Sequence, residues 1–181
     1  MVRNFKELVQ MKKAIVIYLV LISSVTYLNA QAPLGNGGKQ FNAGLGFSNW
    51  GVPIYAGLDF GVHPDITIGP QVSFRSFSEK YRDFNGNTYG YDHSIFVLAF
   101  NGNYHFNTLL KIPKQWNVYA GLTLGYYIWT SPSGYLGKRD SGVGLDAQIG
   151  GRYFFSEKFG ANLEFGGGTA SGGKIGITYK L

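Results

Sequence analysis

The feature that most constrains this chain is a repeated alternation of apolar and polar residues over residues 39–181. Each stretch has apolar side chains at every second position, with small or polar ones between them. Because successive side chains of a β-strand point to opposite faces, this period of two predicts strands with one apolar and one polar face. Eight such stretches predict an all-β domain, and their apolar rows begin at Phe41, Ile54, Ile66, Phe96, Trp116, Val143, Phe159 and Ile175.

The links between these strands alternate in length. Short links with turn residues lie at 63–65 and 156–158, and the longest links lie at 78–93 and 130–142. A long link at 107–115 is the exception on the short-turn side, and no helical periodicity follows residue 30. Sequential strands joined in this way predict an eight-stranded antiparallel up-and-down barrel with its longest loops at one end.

Alternation does not by itself say which face of the strands is buried. A soluble, lipocalin-like periplasmic barrel would bury the apolar rows, whereas a transmembrane barrel would expose them to lipid. Charged residues make up only 14% of the chain, against roughly 25% in soluble domains. The polar rows are rich in glycine and amides, and aromatic residues near the strand ends resemble the girdles of membrane barrels. We therefore predict a transmembrane β-barrel, with the soluble binding barrel as an alternative.

Residues 1–30 predict a cleavable signal peptide, with Met11 as an alternative start. Two lysines after Met11 precede an apolar run over residues 14–25, and small residues follow. A basic segment, a short apolar segment and a small-residue exit are the features of a secretory signal. Cleavage after Ala30 fits this pattern best.

The signal peptide leaves a short linker at 31–38 and a barrel domain at 39–181. Residues 1–30 hold four basic residues and one acidic residue, so their removal lowers the net charge from +6 to +3. The basic character of the full chain therefore does not predict nucleic-acid binding.

In its pattern of strands and turns the chain resembles the small eight-stranded outer-membrane barrels of Gram-negative bacteria, of the OmpX, OmpA-transmembrane and opacity-protein type. Members of that family carry a C-terminal insertion signal, which Lys174, Gly176, Tyr179 and Leu181 match, although the family usually ends in Phe or Trp. The resemblance implies location in the outer membrane, contact with its lipid and lipopolysaccharide, and insertion by the barrel-assembly machinery.

Charged and amide side chains of the polar rows are predicted to face the barrel lumen. Buried charges need partners, so we expect them to form a network of ion pairs and hydrogen bonds. A narrow pore for ions or small solutes is the alternative, since eight strands leave too little room for general diffusion. The predicted network consists of Asp59, Gln71, Arg75, Asp146, Gln148, Arg152, Glu164 and Lys174.

Basic and aromatic residues of the two longest links are candidates for contacts outside the barrel. Their chemistry suits the phosphates of lipopolysaccharide or a surface ligand that the sequence does not identify. The predicted role is therefore structural or one of surface interaction, such as adhesion. The candidate residues are Lys80, Tyr81, Arg82, Tyr89, Tyr91, Lys138 and Arg139.

No catalytic residue, metal site or cofactor is predicted. The chain has no cysteine, and neither His63 nor His105 has carboxylates at ligand spacing. His93 is followed by Ser94, but adjacent residues of a strand point to opposite faces, which argues against direct proton transfer between them. A lipid-modifying enzyme of the outer membrane is the third alternative.

Overall fold

The computed structural model describes residues 33–82, 86, 88–135 and 137–181, which form one closed barrel. Each strand pairs antiparallel with its neighbours in the chain, and the first strand pairs with the last. The prediction of an eight-stranded antiparallel up-and-down barrel is confirmed; the predicted signal peptide lies outside the described residues. The strands are β1 Lys39–Ser48, β2 Ile54–His63, β3 Ile66–Arg82, β4 Thr88–His105, β5 Trp116–Thr130, β6 Gly142–Phe154, β7 Phe159–Gly168 and β8 Gly172–Lys180.

The two ends of the barrel differ in their connections. The terminal end carries the start of β1, the end of β8 and the β2–β3, β4–β5 and β6–β7 links, and the loop end carries the other four connections. The β4–β5 link contains a helix, α1, at Asn107–Leu110, which corrects the expectation of no helix. With four residues, α1 is too short to produce a helical period in the sequence. No helix in the part of the chain that the structure describes is long and apolar enough to cross a membrane.

The β3–β4 hairpin is longer than the sequence predicts. The link expected over 78–93 is wrong in extent, because Ser78 pairs with Asp92 and pairing continues to Arg82 and Thr88. Gly86, whose φ is 86°, lies in the short connection between the two strands. Two strands of 17 and 18 residues therefore project beyond their neighbours at the loop end.

The distribution of side chains is the reverse of that in a soluble domain. Large apolar residues that point outward are exposed on every strand, including Leu45, Leu98, Leu122 and Ile149. The side chains buried most completely inside the barrel are mainly polar, and they include Gln40, Asp59, Thr67, His93, His105, Asn117 and Thr178. The polar rows of the sequence therefore face the lumen.

The apolar outer surface ends at a defined level near the loop end. On β3, β4 and β5 the last large apolar residues of the outward row are hydrogen-bonded neighbours, and the next outward residues are polar. The part of the hairpin beyond this level lies above the apolar surface. The last apolar residues are Phe74, Phe96 and Ile128, and the polar residues that follow are Ser76, Ser94 and Thr130.

A close approach of backbones distinguishes one glycine of β3. The ladder between β2 and β3 lapses at Gly69 and Pro70, since proline has no N–H to donate. An ideal Cβ on Gly69 would overlap the backbone carbonyl of Leu58. This position therefore requires glycine for reasons of space.

We expect Gly69→Ala to destabilise the folded barrel by about 1–3 kcal/mol, the usual cost of overpacking a filled site. The measurement is the unfolding midpoint in urea, read from the mobility of unboiled protein on a gel. Gly90→Ala is the matched control, since nothing lies within 4 Å of its Cβ position and its φ is not positive. Equal midpoints for Gly69→Ala and the unmodified chain would contradict the assignment.

Candidate functional site

The lumen near the terminal end is closed by a buried ion pair. Arg152 on β6 donates to Asp59 on β2 at 2.6 Å, and both side chains are almost fully buried. The guanidinium carbon also lies 4.5 Å from the ring centroid of Tyr119, whose hydroxyl donates to Glu164 at 3.0 Å. Opposite charges held at this distance in a low-dielectric interior attract strongly, which offsets part of their desolvation cost.

Amide and hydroxyl side chains complete this layer. Asn42 donates to the same Asp59 oxygen at 3.0 Å, and its own oxygen accepts from Gln40 at 2.9 Å and from Thr178 at 2.8 Å. Next to it, the two ring nitrogens of His105 bond to Thr67 and to Asn117, each at 2.9 Å. Buried polar groups are stable only when they are hydrogen-bonded, and these groups form one set that joins β1, β2 and β8 and another that joins β3, β4 and β5.

A second set of polar contacts occupies the middle of the lumen. Lys174 on β8 pairs with Glu164 on β7 at 2.5 Å and donates to Gln71 on β3 at 3.1 Å. Gln148 donates to Asn103 at 2.9 Å. The lumen residues predicted from the sequence thus lie together, but their specific pairing across the barrel is not apparent from the alternation.

Towards the loop end the lumen is less completely filled. Asp146 accepts hydrogen bonds from the Tyr127 hydroxyl and from the backbone N–H of Ala170. Arg75 donates to Ser48 at 2.9 Å, and its buried Nε has no hydrogen-bond partner among the described residues. These side chains line a cavity of about 90 Å³, whereas the cavity at the Asp59–Arg152 layer measures about 20 Å³. The smaller volume is on the scale of one water molecule.

An apolar cluster lies above this cavity and was not predicted. Ile95, Val97 and Tyr127 are buried on the inward rows, and Trp50 and Trp129 pack against them with ring centroids 5.1 Å apart. Val97 occupies a position that the alternation assigns to the polar row, although its side chain is apolar. The lumen therefore changes from polar to apolar and aromatic towards the loop end.

The part of the β3–β4 hairpin beyond Ser76 and Ser94 contacts the β5–β6 connection, residues 131–141. Together they form the loop-end platform. Glu79 of β3 joins them, since one of its carboxylate oxygens accepts from Arg139 at 3.0 Å and from Tyr135 at 3.2 Å. The Arg139 hydrogen bond holds the pKa of Glu79 below its usual range. Tyr135 also packs edge-on against Tyr91 of β4, with centroids 5.1 Å apart.

The other candidate contact residues lie on the same platform but have different environments. Lys138 and Asp140 form an exposed ion pair at 3.0 Å, with side-chain exposures of 85% and 67%. Lys80, Tyr81 and Arg82 lie in β3 and Tyr89 in β4, where the sequence predicted a loop. The side chains of Lys80, Arg82 and Tyr89 are exposed, and Arg82 donates to the backbone oxygen of Gly86 at 3.3 Å.

A buried histidine at the centre of the platform was also missed. His93 is fully buried, and its Nδ1 lies 2.9 Å from Ser131 Oγ while its Nε2 lies 3.7 Å from Glu79. A serine, a histidine and a carboxylate in a row are the components of a hydrolase triad. Neither the cavity at Arg75 nor the cavity at the Asp59–Arg152 layer is lined by His93 or Ser131.

The residues that match the insertion signal lie on or directly after β8. Lys174 faces the lumen, whereas Tyr179 lies on the outward row and is partly exposed. Gly176 pairs with Gly44 of β1, and the backbone N–H of Leu181 donates to Lys39 at 3.0 Å. These residues thus belong to the seam that closes the barrel.

Comparison with solved structures identifies the fold. The outer membrane protein OprG of Pseudomonas aeruginosa matches at a TM-score of 0.66 and 11% identity, over 85% of this chain and 99% of its own. The N-terminal barrel of OprF from the same organism gives 0.61 at 12% identity, over 81% and 99%. Neisserial surface protein A gives 0.55 at 12% identity, over 80% and 96%. The chain therefore has the fold of small outer-membrane barrels, as its sequence pattern predicts.

No protein-family model matches the sequence. No curated protein matches it either.

We expect Asp59→Asn to destabilise the barrel by about 3–5 kcal/mol, because it leaves the buried Arg152 without its counter-ion. The measurement is the free energy of unfolding in urea. The control is Asp140→Asn, which removes the acid of the exposed pair with Lys138 and is expected to cost less than about 1 kcal/mol. Similar losses for the two variants would contradict the buried-pair interpretation.

Proposed function

We propose that this chain is an integral β-barrel of the Gram-negative outer membrane. The observation that carries the proposal is the apolar outer surface, because exposed apolar side chains surround a polar interior on all eight strands. On β5 the outward apolar row runs from Trp116 to Ile128, longer than the about 9–11 residues that a tilted strand needs to cross a bilayer. A closed ladder also leaves no strand edge unpaired in lipid.

The barrel's role in this proposal is structural, with a lumen that does not conduct. The Asp59–Arg152 layer supports this assignment, because the cavity beside this ion pair inside the barrel measures about 20 Å³. A narrow pore is the second candidate, favoured by the charged cavity nearer the loop end. Stable unitary current steps in a planar bilayer would favour the pore over the structural role.

The loop-end platform provides the surface-interaction part of the proposal. It projects beyond the apolar surface, and the hairpin is fixed to residues 131–141 through Glu79. Lys80 and Arg82 are exposed and form no ion pair with another described residue, and we expect their charges to meet the phosphates of lipopolysaccharide. Each basic residue near an anionic membrane surface contributes about 1 kcal/mol to the attraction.

Membrane insertion predicts that the free-energy cost of an added charge depends steeply on its depth in the bilayer. Leu122→Arg places a cation in the middle of the outward row of β5 and is expected to cost about 2–4 kcal/mol in a bilayer. Thr130→Arg lies on the same row beyond its last apolar residue and is expected to cost at most about 1 kcal/mol. The measurement is the free energy of unfolding of protein refolded into phospholipid vesicles. Equal costs at both positions would contradict insertion at this level.

Contact with lipopolysaccharide predicts a salt-dependent loss of binding for the double variant Lys80→Gln/Arg82→Gln. From two charges we expect an affinity about tenfold to thirtyfold weaker at low ionic strength, and a smaller difference at high salt because the charges are screened. Binding of purified lipopolysaccharide to the barrel in nanodiscs is measured at both ionic strengths. The control is Lys111→Gln/Lys114→Gln, which removes the same charge in the β4–β5 link at the terminal end. An equal loss in both variants would contradict the platform as the contact.

A further inference from the structure

His93 occupies the junction between the two halves of the loop-end platform. It lies on the inward row of β4, and Ser131 at the start of the β5–β6 connection lies 2.9 Å from its Nδ1. The Tyr135 ring is edge-on at 4.6 Å between centroids. Phe77 of β3 and Trp129 of β5 pack at 6.2 and 6.3 Å. The imidazole is thus enclosed by every element that forms the platform.

One of the two ring nitrogens is not satisfied. Nε2 is buried and has no hydrogen-bond partner among the described residues, and the nearest carboxylate oxygen, on Glu79, lies 3.7 Å away. A buried polar atom without a partner costs free energy, and the cost falls when the atom gains a bond to a charged group. A neutral imidazole has only one N–H, whereas a protonated imidazole has two and satisfies Ser131 and Glu79 together.

We propose that His93 is a pH-dependent latch, which on protonation fastens residues 131–141 to the β3–β4 hairpin through Glu79. The groups that face the imidazole are Glu79 from β3, Trp129 from β5, and Ser131 and Tyr135 from the connection. Tyr91 of its own strand contacts Tyr135. Arg139 reaches the same carboxylate oxygen. The one carboxylate among these groups therefore lies between two cations when the latch is closed.

The charge states of the partners give the direction of the response. The hydrogen bond from Arg139 lowers the pKa of Glu79, which keeps its carboxylate ionised in the pH range between 5 and 8, where imidazole side chains ordinarily gain their proton. Protonation of the imidazole adds a cation beside this anion, and the latch closes. At still lower pH the carboxylate itself is protonated and the closing contact is lost, because a group with a depressed pKa stabilises only above that pKa.

The latch is distinct from the proposed contact with lipopolysaccharide. That contact rests on the exposed charges of Lys80 and Arg82, whereas the latch rests on the contact of the buried His93 with Glu79 and is measured on the barrel alone. Its effect is to change how firmly the connection is held, on the microsecond-to-second scale of local opening. Failure of lipopolysaccharide binding leaves the latch standing, and the reverse is also true.

The test is amide hydrogen exchange of residues 131–141 in the folded full barrel, in micelles, at pH 7.5 and pH 5.5. After correction for the intrinsic pH dependence of exchange, the protection of the Tyr135 amide is expected to rise about tenfold at pH 5.5, the effect of one charge-assisted hydrogen bond. His93→Gln retains a donor and an acceptor but does not titrate, so its protection is expected to be the same at both pH values. Glu79→Gln removes the anion and is expected to abolish the rise.

The control is His105→Gln, at the terminal end, which is expected to keep the full rise. An unchanged or smaller protection of the unmodified barrel at pH 5.5 overturns the proposal, as does a full rise in His93→Gln or Glu79→Gln. Folding of each variant is checked by the mobility of unboiled protein. If His93→Gln does not fold, the ¹⁵N shift of His93 Nε2 in the unmodified barrel replaces it, and a midpoint different from that of Tyr135 protection overturns the latch.

Discussion

The structure depends on the closure of one hydrogen-bonded ladder, in which β1 pairs with β8 and no strand edge remains free. Closure satisfies most of the backbone of the barrel wall without help from side chains, because N–H and C=O groups between strands pair with the next strand. Within the closed wall, no side chain is therefore needed to cover an unpaired strand edge. Their division into an apolar outer surface and a polar interior follows from the period of two alone.

The polar side chains of the interior must then form hydrogen bonds and ion pairs with one another. A soluble core gains free energy by removing apolar surface from water, whereas this lumen is held by directional contacts such as Arg152 with Asp59 and Lys174 with Glu164. Such contacts specify which strands lie opposite each other, since each joins residues far apart in the sequence. The apolar cluster around Ile95 and Val97 interrupts this pattern near the loop end, where the hairpin and residues 131–141 fold over the lumen.

The sequence predicts the barrel well because its signal is local and repeated in eight strands. It also predicts which rows face inward, so Asp59 and Arg152 are recognised as lumen residues before their contact is seen. It does not predict contacts between distant residues, such as that of His93 with Ser131, which are 38 positions apart and meet only through the strand register. The extent of the β3–β4 hairpin is missed for another reason, because the polar residues at 78–82 resemble a loop until their pairing with β4 is known.

The unequal filling of the lumen has an electrical consequence. In a membrane that separates two ionic solutions, a potential difference falls mainly across the part of the path that excludes ions. The tightly filled layer lies near the terminal end, whereas the cavity at Arg75 and Lys174 lies towards the loop end. In a membrane the field is therefore expected to be stronger at Asp59 and Arg152 than at the cavity beside Arg75. The barrel is in this sense an asymmetric dielectric, with its most tightly filled layer near the terminal end.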